Sequence, residues 1–223
     1  MNKKHKMLVF AKKSNVFIRT NLYIYNALIN IMNKKTGLFF GSFNPIHNGH
    51  LMLAKYILNE YDLEEIWFVV SPQNPLKDKK SLLDEHHRLQ LVRLAVEDEP
   101  KFKASDIEFK LDQPSYTVNT LVHLKEKYKR EFVLLMGADS AASLKKWKNY
   151  EAILENYEVY AYPRIGNDID TIPKHKHLKL IHAPQIELSA TYIRQAIKAK
   201  KDVRFLLSEK VYTYVKEMHF YEK

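Results

Sequence analysis

The sequence predicts an α/β protein: a Rossmann-like, doubly wound parallel sheet with a small helical C-terminal part. Two observations lead to this prediction. From Thr36 onward, short apolar runs alternate with helical patterns of roughly 10–15 residues, the spacing of right-handed β-α-β units. Glycine or proline closes several of the apolar runs, as Gly41 does after the first and Pro72 after the second.

Each element is predicted from its own pattern. Strands are expected where apolar, β-branched and aromatic residues cluster, at residues 37–40, 65–71, 103–109, 132–137, 157–163 and 178–182. Helices are expected where apolar residues recur at helical spacing, at residues 48–60, 84–97, 117–129, 140–146, 150–156, 190–199 and 209–218. Ligands of such sheets bind beyond the carboxyl ends of strands, where the strand order reverses. This rule singles out the loops after the first strand and after residues 132–136.

The positive charge is concentrated at the N-terminus. The chain has a formal net charge of +10, with 36 basic and 26 acidic residues. Residues 1–35 contain eight basic and no acidic residues, which leaves residues 36–223 with a net charge of only +2. A nucleic-acid footprint on the body of the protein is therefore not supported.

Residues 1–31 differ in composition from the remainder. Their apolar patch, residues 21–32, contains three asparagines and is shorter than the roughly 20 residues of a bilayer span, so no membrane segment is expected. We expect Met32 to be the true start, with residues 1–31 an upstream or disordered extension and residues 32–223 the functional domain. An organellar transit peptide is the alternative. The absence of cysteine excludes disulfides, thiolate metal sites and a cysteine nucleophile, and fits a reducing, cytoplasmic location.

The loop after the first strand has the strongest chemical signature. Glycines at its two ends would permit a tight turn and close approach of a ligand, and the helix start beyond it is suited to anions. His47 and His50, three residues apart, could both contact phosphoryl oxygens, whereas a single histidine is more often a solvated or capping residue. The segment reads Gly41-Ser42-Phe43-Asn44-Pro45-Ile46-His47-Asn48-Gly49-His50.

This segment resembles the His-x-Gly-His signature of the nucleotidyltransferase superfamily, and more narrowly that of bacterial nicotinate-nucleotide adenylyltransferases. The resemblance extends over Thr36 to Tyr221. It implies transfer of AMP from ATP to nicotinate mononucleotide, giving deamido-NAD and pyrophosphate with Mg²⁺, in NAD biosynthesis. It also implies that Gly41, Ser42, Phe43 and His50 contact ATP and that Asn44 contacts the acceptor.

Other segments match the same family in order. Lys77, in a loop where the family has Pro-Pro-His-Lys, is the expected phosphate-directed cation, although the histidine is missing here. Arg88 opens a helix as in the family and is either an acceptor-binding residue or an exposed helix charge. Thr117 in Ser-Tyr-Thr and Trp147 in Lys-Trp-Lys are expected at the pyridine ring; their ordinary interpretations are a helix N-cap and a core residue.

The remaining matches concern the nucleotide. Gly137 and Asp139 follow the strand at residues 132–137, where the carboxylate could hold ribose hydroxyls, help to hold hydrated Mg²⁺, or simply cap a helix. Ser189, Thr191 and Arg194 resemble the family's Ser-Ser-Thr-x-Ile-Arg, with Arg194 directed at the β- and γ-phosphates.

His47, His50 and Arg194 are accordingly the expected catalytic residues. No protein-held metal site is expected, and a homo-oligomer is left open. The alternatives are transfer to nicotinamide mononucleotide, phosphopantetheine or a cytidylyl acceptor, or an RNA-binding protein that uses the basic extension.

Overall fold

The computed structural model describes residues 35–72, 82–166 and 169–223. Six strands are β1 (Lys35–Gly41), β2 (Glu65–Val70), β3 (Phe102–Ser105), β4 (Glu131–Gly137), β5 (Glu158–Tyr162) and β6 (Leu178–Leu180). Seven α-helices in these ranges are α1 (Asn48–Glu60), α2 (Glu85–Val96), α3 (Thr117–Lys127), α4 (Ala138–Ala142), α5 (Tyr150–Asn156), α6 (Ala190–Lys198) and α7 (Glu209–Glu217).

The strands form one sheet of order β3-β2-β1-β4-β5-β6, and all five pairs of neighbouring strands are parallel. The order reverses between β1 and β4, which pair directly, with Thr36 opposite Phe132 and Phe39 opposite Leu135. The predicted Rossmann-like sheet is confirmed. The two loops singled out from the sequence therefore emerge side by side at the switch point.

Alternation along the central strands supplies a core on both faces of the sheet. In β1, Phe39 belongs to the cluster packed against α1, α2, α6 and α7, while Leu38 belongs to the cluster packed against α3 and α5. In β4, Leu135 and Leu134 divide in the same way. Strands buried on both faces read as continuous apolar runs, which is why the sequence pattern was easy to recognise.

Two elements differ from the prediction. The strand expected at residues 103–109 ends at Ser105, and a 3₁₀-helix, Ile107–Lys110, follows it. The helix expected at residues 140–146 is instead the short α4 followed by a 3₁₀ turn, Leu144–Lys146. In the first case the 3₁₀-helix contains Glu108, an acidic residue that is buried.

The predicted helical C-terminal part is confirmed. Helices α6 and α7 pack with the core cluster that also contains α1 and α2, through Ile193, Val211 and Val215. The last turn of the chain brings Phe220 and Tyr221 against the same cluster. None of the helices in the described ranges has the length and apolarity needed to cross a membrane.

Candidate active site

A crevice of about 1440 Å³ opens at the carboxyl ends of β1 and β4. Its lining includes two surfaces used below. The histidine wall is formed by residues 41–44, 47, 49 and 50, and it is bordered by residues 189–192 and 194 at the start of α6. The aromatic wall is residues 115–117 together with residues 146–148. The volume exceeds the roughly 300–1,000 Å³ of most small-molecule pockets, so it offers room for more than one ligand group.

The two histidines, which the sequence placed on one side of the helix start, lie in contact. Their rings stack with centroids 3.7 Å apart, although His47 is the N-cap of α1 and only His50 is inside the helix. The backbone N–H of His47 donates to His50 Nδ1 at 3.3 Å. In a neutral ring the proton must then be on Nε2, because Nδ1 is already accepting a hydrogen bond. The Nε2–H group of a neutral His50 therefore lies on the opposite side of the ring from this contact.

The charge state of His47 follows from its burial. Its side chain is buried, and burial, with a smaller contribution from Arg164, lowers its pKa to about 4. The ring is thus neutral at pH 7 and can donate a single hydrogen bond but cannot act as a cation. The prediction that His47 contacts a phosphoryl oxygen is compatible with a neutral ring, which would make that contact as a hydrogen-bond donor.

Gly41 is required for space rather than for backbone freedom. A Cβ atom on Gly41 would lie 2.7 Å from the Phe43 ring. The residue in the left-handed region of this loop is Phe43, with φ of 44°. The Phe43 ring lies edge-on to His50 at 5.3 Å, so the tight fit of Gly41 and Phe43 helps to fix the His50 ring.

Arg194 connects the start of α6 to the histidine wall. Its Nη1 donates to the Asn44 carbonyl at 2.8 Å, and its Nη2 to Thr191 Oγ1 at 3.4 Å. Ser189 caps α6 by accepting a hydrogen bond from the Tyr192 N–H. All three predicted residues of this segment, Ser189, Thr191 and Arg194, line the crevice.

Arg88 is a buried residue of α2 whose side chain reaches the loops after β1 and β2. It is 1% exposed, and the residues lining the crevice do not include it. Its guanidinium donates to the carbonyls of Ser42, Ser71, Leu83 and Pro72, at 2.7, 2.8, 2.8 and 2.8 Å. Arg88 therefore ties together the chain segments that leave β1 and β2. Its burial rules out the exposed helix charge, while acceptor binding by Arg88 stays a prediction.

Asp139 and Gly137 lie beside the histidine wall at the end of β4. The Asp139 carboxylate is 3.6 Å from Arg164 Nη1, and both side chains are about half exposed. A Cβ on Gly137 would lie 2.3 Å from Asp139 Oδ1, so only glycine allows this carboxylate to take its position. The N-cap of α4 is Gly137 itself, which removes the capping interpretation of Asp139.

The aromatic wall brings together the Ser-Tyr-Thr and Lys-Trp-Lys segments. Thr117 is the first residue of α3, whose N-cap is Tyr116 rather than Thr117. Lys148 Nζ lies 4.3 Å from the centroid of the Tyr116 ring, a cation–π contact that joins the two segments. Trp147 is half-buried and lines the crevice.

A buried carboxylate beside this wall was not predicted from the sequence. Glu108 is 2% exposed and accepts hydrogen bonds from Ser115 Oγ at 3.1 Å and from Thr120 Oγ1 at 2.9 Å. Burial raises the pKa of Glu108, and hydrogen bonds from Ser71, Thr120 and Ser115 oppose the shift. An acidic residue inside a predicted buried strand was the available signal.

Arg164 was missed as well. It follows β5 at the same edge of the sheet as the other site loops, and this position after a parallel strand was the signal that could have found it.

Ser42 and Asn44 line the crevice as expected, and Ser42 Oγ is buried with no hydrogen-bond partner in the described part of the chain. Lys77 lies outside the described residues.

The side chains that could ligate a metal ion are few and separate. Within residues 35–72, 82–166 and 169–223, no three side chains of the His, Cys, Asp or Glu type are grouped as metal ligands require. Three acidic residues line the crevice, Glu108, Asp139 and Glu187, and Glu108 is buried with its own hydroxyl donors. A carboxylate that stands apart from other ligands, as Asp139 does, suits a hydrated divalent cation bound mainly by substrate phosphates and does not suit a metal caged by protein.

Comparisons with known proteins agree with this architecture. The cytidylyltransferase-like family matches residues 38–196. Two solved structures of the Plasmodium falciparum nicotinic acid mononucleotide adenylyltransferase, complexed with NaAD and with APC, superpose with TM-scores of 0.71 and 0.70. Each is 20% identical in sequence and covers 85% of this chain and 98% of its own, a likeness that shows the fold.

Sequence relatives are much closer. A protein of Flavobacterium psychrophilum named "Probable nicotinate-nucleotide adenylyltransferase" is 54% identical over 192 residues, which are 85% of this chain and 100% of the relative. A protein of the same name from Christiangramia forsetii is 53% identical over 194 residues, 86% of this chain and 100% of the relative. The chain therefore belongs to the cytidylyltransferase-like family and, within it, to the nicotinate-nucleotide adenylyltransferases.

Proposed function

We propose that this chain transfers AMP from ATP to nicotinate mononucleotide, giving deamido-NAD and pyrophosphate, a step of NAD biosynthesis. The observation that carries the proposal is the meeting of five sequence segments around one crevice. They are the histidine wall, the start of α6, the residues after β4 and the two segments of the aromatic wall. The close relatives bear the name of this activity.

The reaction requires positioning and charge stabilisation more than proton transfer. An oxygen of the acceptor's 5′-phosphate forms a bond to the ATP α-phosphorus, and the bond from that phosphorus to the β-phosphate oxygen breaks. The electron pair leaves with pyrophosphate. Because the attacking phosphate is already ionised near pH 7, no general base is needed.

Each side of the crevice has a part in this reaction. The Nε2–H of His50 is a hydrogen-bond donor for phosphoryl oxygens as their charge increases, and neutral His47 holds the ring of His50 by stacking. Arg194 is a cation for the β- and γ-phosphates of the leaving group. Gly41, Ser42 and Phe43 would contact the ATP nucleotide, with Gly137 making room for Asp139 to reach its ribose.

The aromatic wall is the proposed acceptor site. Trp147 would stack on the pyridine ring, and Thr117 with the free N–H groups at the start of α3 would bind the ring carboxylate. Asn44 would border the acceptor phosphate. Lys77 would make a further contact with phosphate, as the sequence resemblance implies.

Nucleotidyltransferases of this kind act with a divalent metal, and we propose Mg²⁺, arriving with ATP. Bound to the phosphates, it would neutralise part of their charge, and Asp139 is the described residue best suited to hold it through water. We further propose a cytoplasmic location, which the absence of cysteine supports.

Residues 32–223 are proposed to be sufficient for activity. They number 192, which is also the length of the alignment that covers the whole Flavobacterium psychrophilum relative. A variant lacking residues 1–31 should keep the thermal midpoint and rate of adenylyl transfer of the full chain. A large loss of either would show that the extension contributes to the fold or the site.

The function is tested by pyrophosphate release. The full chain is mixed with ATP, MgCl₂ and one acceptor at a time: nicotinate mononucleotide, nicotinamide mononucleotide or phosphopantetheine. The proposal expects release that depends on nicotinate mononucleotide and an equal yield of deamido-NAD. Release with another acceptor only would reassign the substrate, and no release with any of them would refute adenylyl transfer to these acceptors.

A further inference from the structure

The C-terminal end of the chain contacts the histidine wall. Tyr221, two residues from the C-terminus, donates a hydrogen bond from its hydroxyl to Asn44 Oδ1 at 2.9 Å. Tyr221 is not among the residues lining the crevice, whereas Asn44 is. Tyr221 therefore reaches the crevice through its neighbours, and its hydrogen bond is to Asn44.

The direction of these hydrogen bonds is fixed by chemistry. The backbone N–H of Leu83 donates to the same Asn44 atom at 3.2 Å, and an N–H group can only donate. The atom is thus the amide oxygen, and the Tyr221 hydroxyl must donate to it too. Two donors, one preceding α2 and one following α7, hold the buried Asn44 side chain in a single orientation.

The same asparagine supports Arg194. The Asn44 carbonyl accepts the 2.8 Å hydrogen bond from Arg194 Nη1, and both residues line the crevice. Tyr221, Asn44 and Arg194 therefore form a continuous chain from the C-terminal turn to the cation proposed for the leaving group. The two arginines near the Tyr221 hydroxyl, Arg194 and Arg88, oppose the burial that raises its pKa.

The ring and the hydroxyl of Tyr221 have separable roles. The ring packs with Phe220 at a centroid distance of 6.2 Å and contributes to the core cluster, as a phenylalanine would. The hydroxyl group adds a hydrogen bond, which it donates to Asn44 Oδ1. Loss of the hydroxyl therefore tests the link to the site without removing the packing.

We propose that the Tyr221 hydroxyl is a positioning group for adenylyl transfer: it orients Asn44 and, through the Asn44 backbone, Arg194. The inference rests on the function proposed above. Because a small displacement of a group that stabilises the transition state lowers the rate without weakening ground-state binding in proportion, the effect is expected mainly in kcat.

The test compares Tyr221→Phe with Tyr214→Phe in the full chain. Tyr214 precedes it in the same C-terminal part, and its hydroxyl contacts His87 Nδ1 at 3.1 Å, outside the crevice lining. We expect Tyr221→Phe to lower kcat about tenfold with KM for ATP and acceptor within about twofold. Tyr214→Phe should keep the wild-type kcat, and the thermal midpoints of both variants should be similar.

A double-mutant cycle with Asn44→Ala completes the test. If the hydroxyl acts through Asn44, the double variant should be no slower than Asn44→Ala alone. Additive effects on kcat, a wild-type kcat in Tyr221→Phe, or an equal loss in Tyr214→Phe would each overturn the inference while the proposed function stands. Absence of transfer by the wild-type chain would overturn the proposed function, and this inference with it.

Discussion

The two walls of the crevice are built differently. The histidine wall is largely buried, and hydrogen bonds from Arg88, Arg194 and Tyr221 fix its backbone and the Asn44 side chain. The aromatic wall is more exposed, and a cation–π contact joins its two segments over the buried Glu108. We infer that changes to the first wall affect stability and chemistry for every acceptor, whereas changes to the second affect the choice of acceptor.

The largest effect is expected at Arg88. Arg88→Met keeps most of the aliphatic part of the side chain but removes the donor of four backbone carbonyl groups. These carbonyls belong to the backbone, so they stay in place whatever the side chains are. At about 1–3 kcal/mol for each buried unsatisfied group, partly relieved by water, we expect a loss of at least about 3 kcal/mol in the free energy of unfolding. Denaturant unfolding measures it.

The control is Arg93→Met, an exposed position on the same helix. It should change stability by less than about 0.5 kcal/mol. Equal stability of the two variants would show that the bracing of the histidine wall by Arg88 has little energetic weight.

A second effect is expected from His47 as the pH is lowered. Its pKa is about 4 in the folded chain against an ordinary value of 6.5, so between these values the unfolded chain binds more protons. The contribution to stability is complete above pH 6.5 and falls as the pH decreases towards 4, by about 3 kcal/mol in all.

The measurement is the free energy of unfolding of wild type and His47→Gln at several pH values from 8 to 4. The glutamine variant, which cannot titrate, should lose less stability over this range than the wild type, whereas exposed His182→Gln should follow the wild type. Parallel curves for wild type and His47→Gln would contradict a buried, neutral His47.

Catalysis should depend most on His50. Removing its Nε2–H donor in His50→Ala is expected to lower kcat about 100-fold, equivalent to about 2.7 kcal/mol of transition-state stabilisation, with the fold preserved. Steady-state kinetics measure it, and circular dichroism checks the fold. His86→Ala, an exposed histidine of α2, is the control. A folded His50→Ala variant with near wild-type kcat would refute the proposed role.

These comparisons also show what sequence could predict. The parallel sheet was predictable because β1, β2 and β4 are continuous apolar runs. The shared side of His47 and His50 was predictable because their spacing is local. The role of Arg88 was not predictable, since three of its four acceptors, at Ser42, Ser71 and Pro72, are distant along the chain. The same holds for Tyr221, which is 177 residues from Asn44.

Gly41 illustrates a different limit. The sequence suggested a glycine needed for backbone freedom, yet the positive φ belongs to Phe43 and the glycine makes room for its ring. A pattern can show that a glycine is needed without showing why. The strand predicted over residues 103–109 failed for a related reason: the hydroxyl donors that allow Glu108 to be buried, Ser115 and Thr120, come later in the chain.

The smallest effect, and the most selective, is expected in the aromatic wall. The acid and amide mononucleotides differ in whether the ring substituent only accepts hydrogen bonds or also donates them. A site that offers N–H and O–H donors at the start of α3 satisfies a carboxylate but leaves the amide NH₂ without an acceptor. Such a mismatch costs about 1–3 kcal/mol, so we expect the acid to be preferred at least about tenfold in kcat/KM.

Trp147 tests whether this wall holds the acceptor. Trp147→Ala removes the stacking surface and should raise KM for nicotinate mononucleotide about tenfold, while KM for ATP stays within about twofold. Trp147→Phe keeps a ring and should restore most of the acceptor affinity. Competition between the two mononucleotides at equal concentration measures the preference. Equal use of the two mononucleotides would contradict the predicted preference for the acid. Equal changes in KM for ATP and for nicotinate mononucleotide in Trp147→Ala would show that the aromatic wall is not a separate acceptor site.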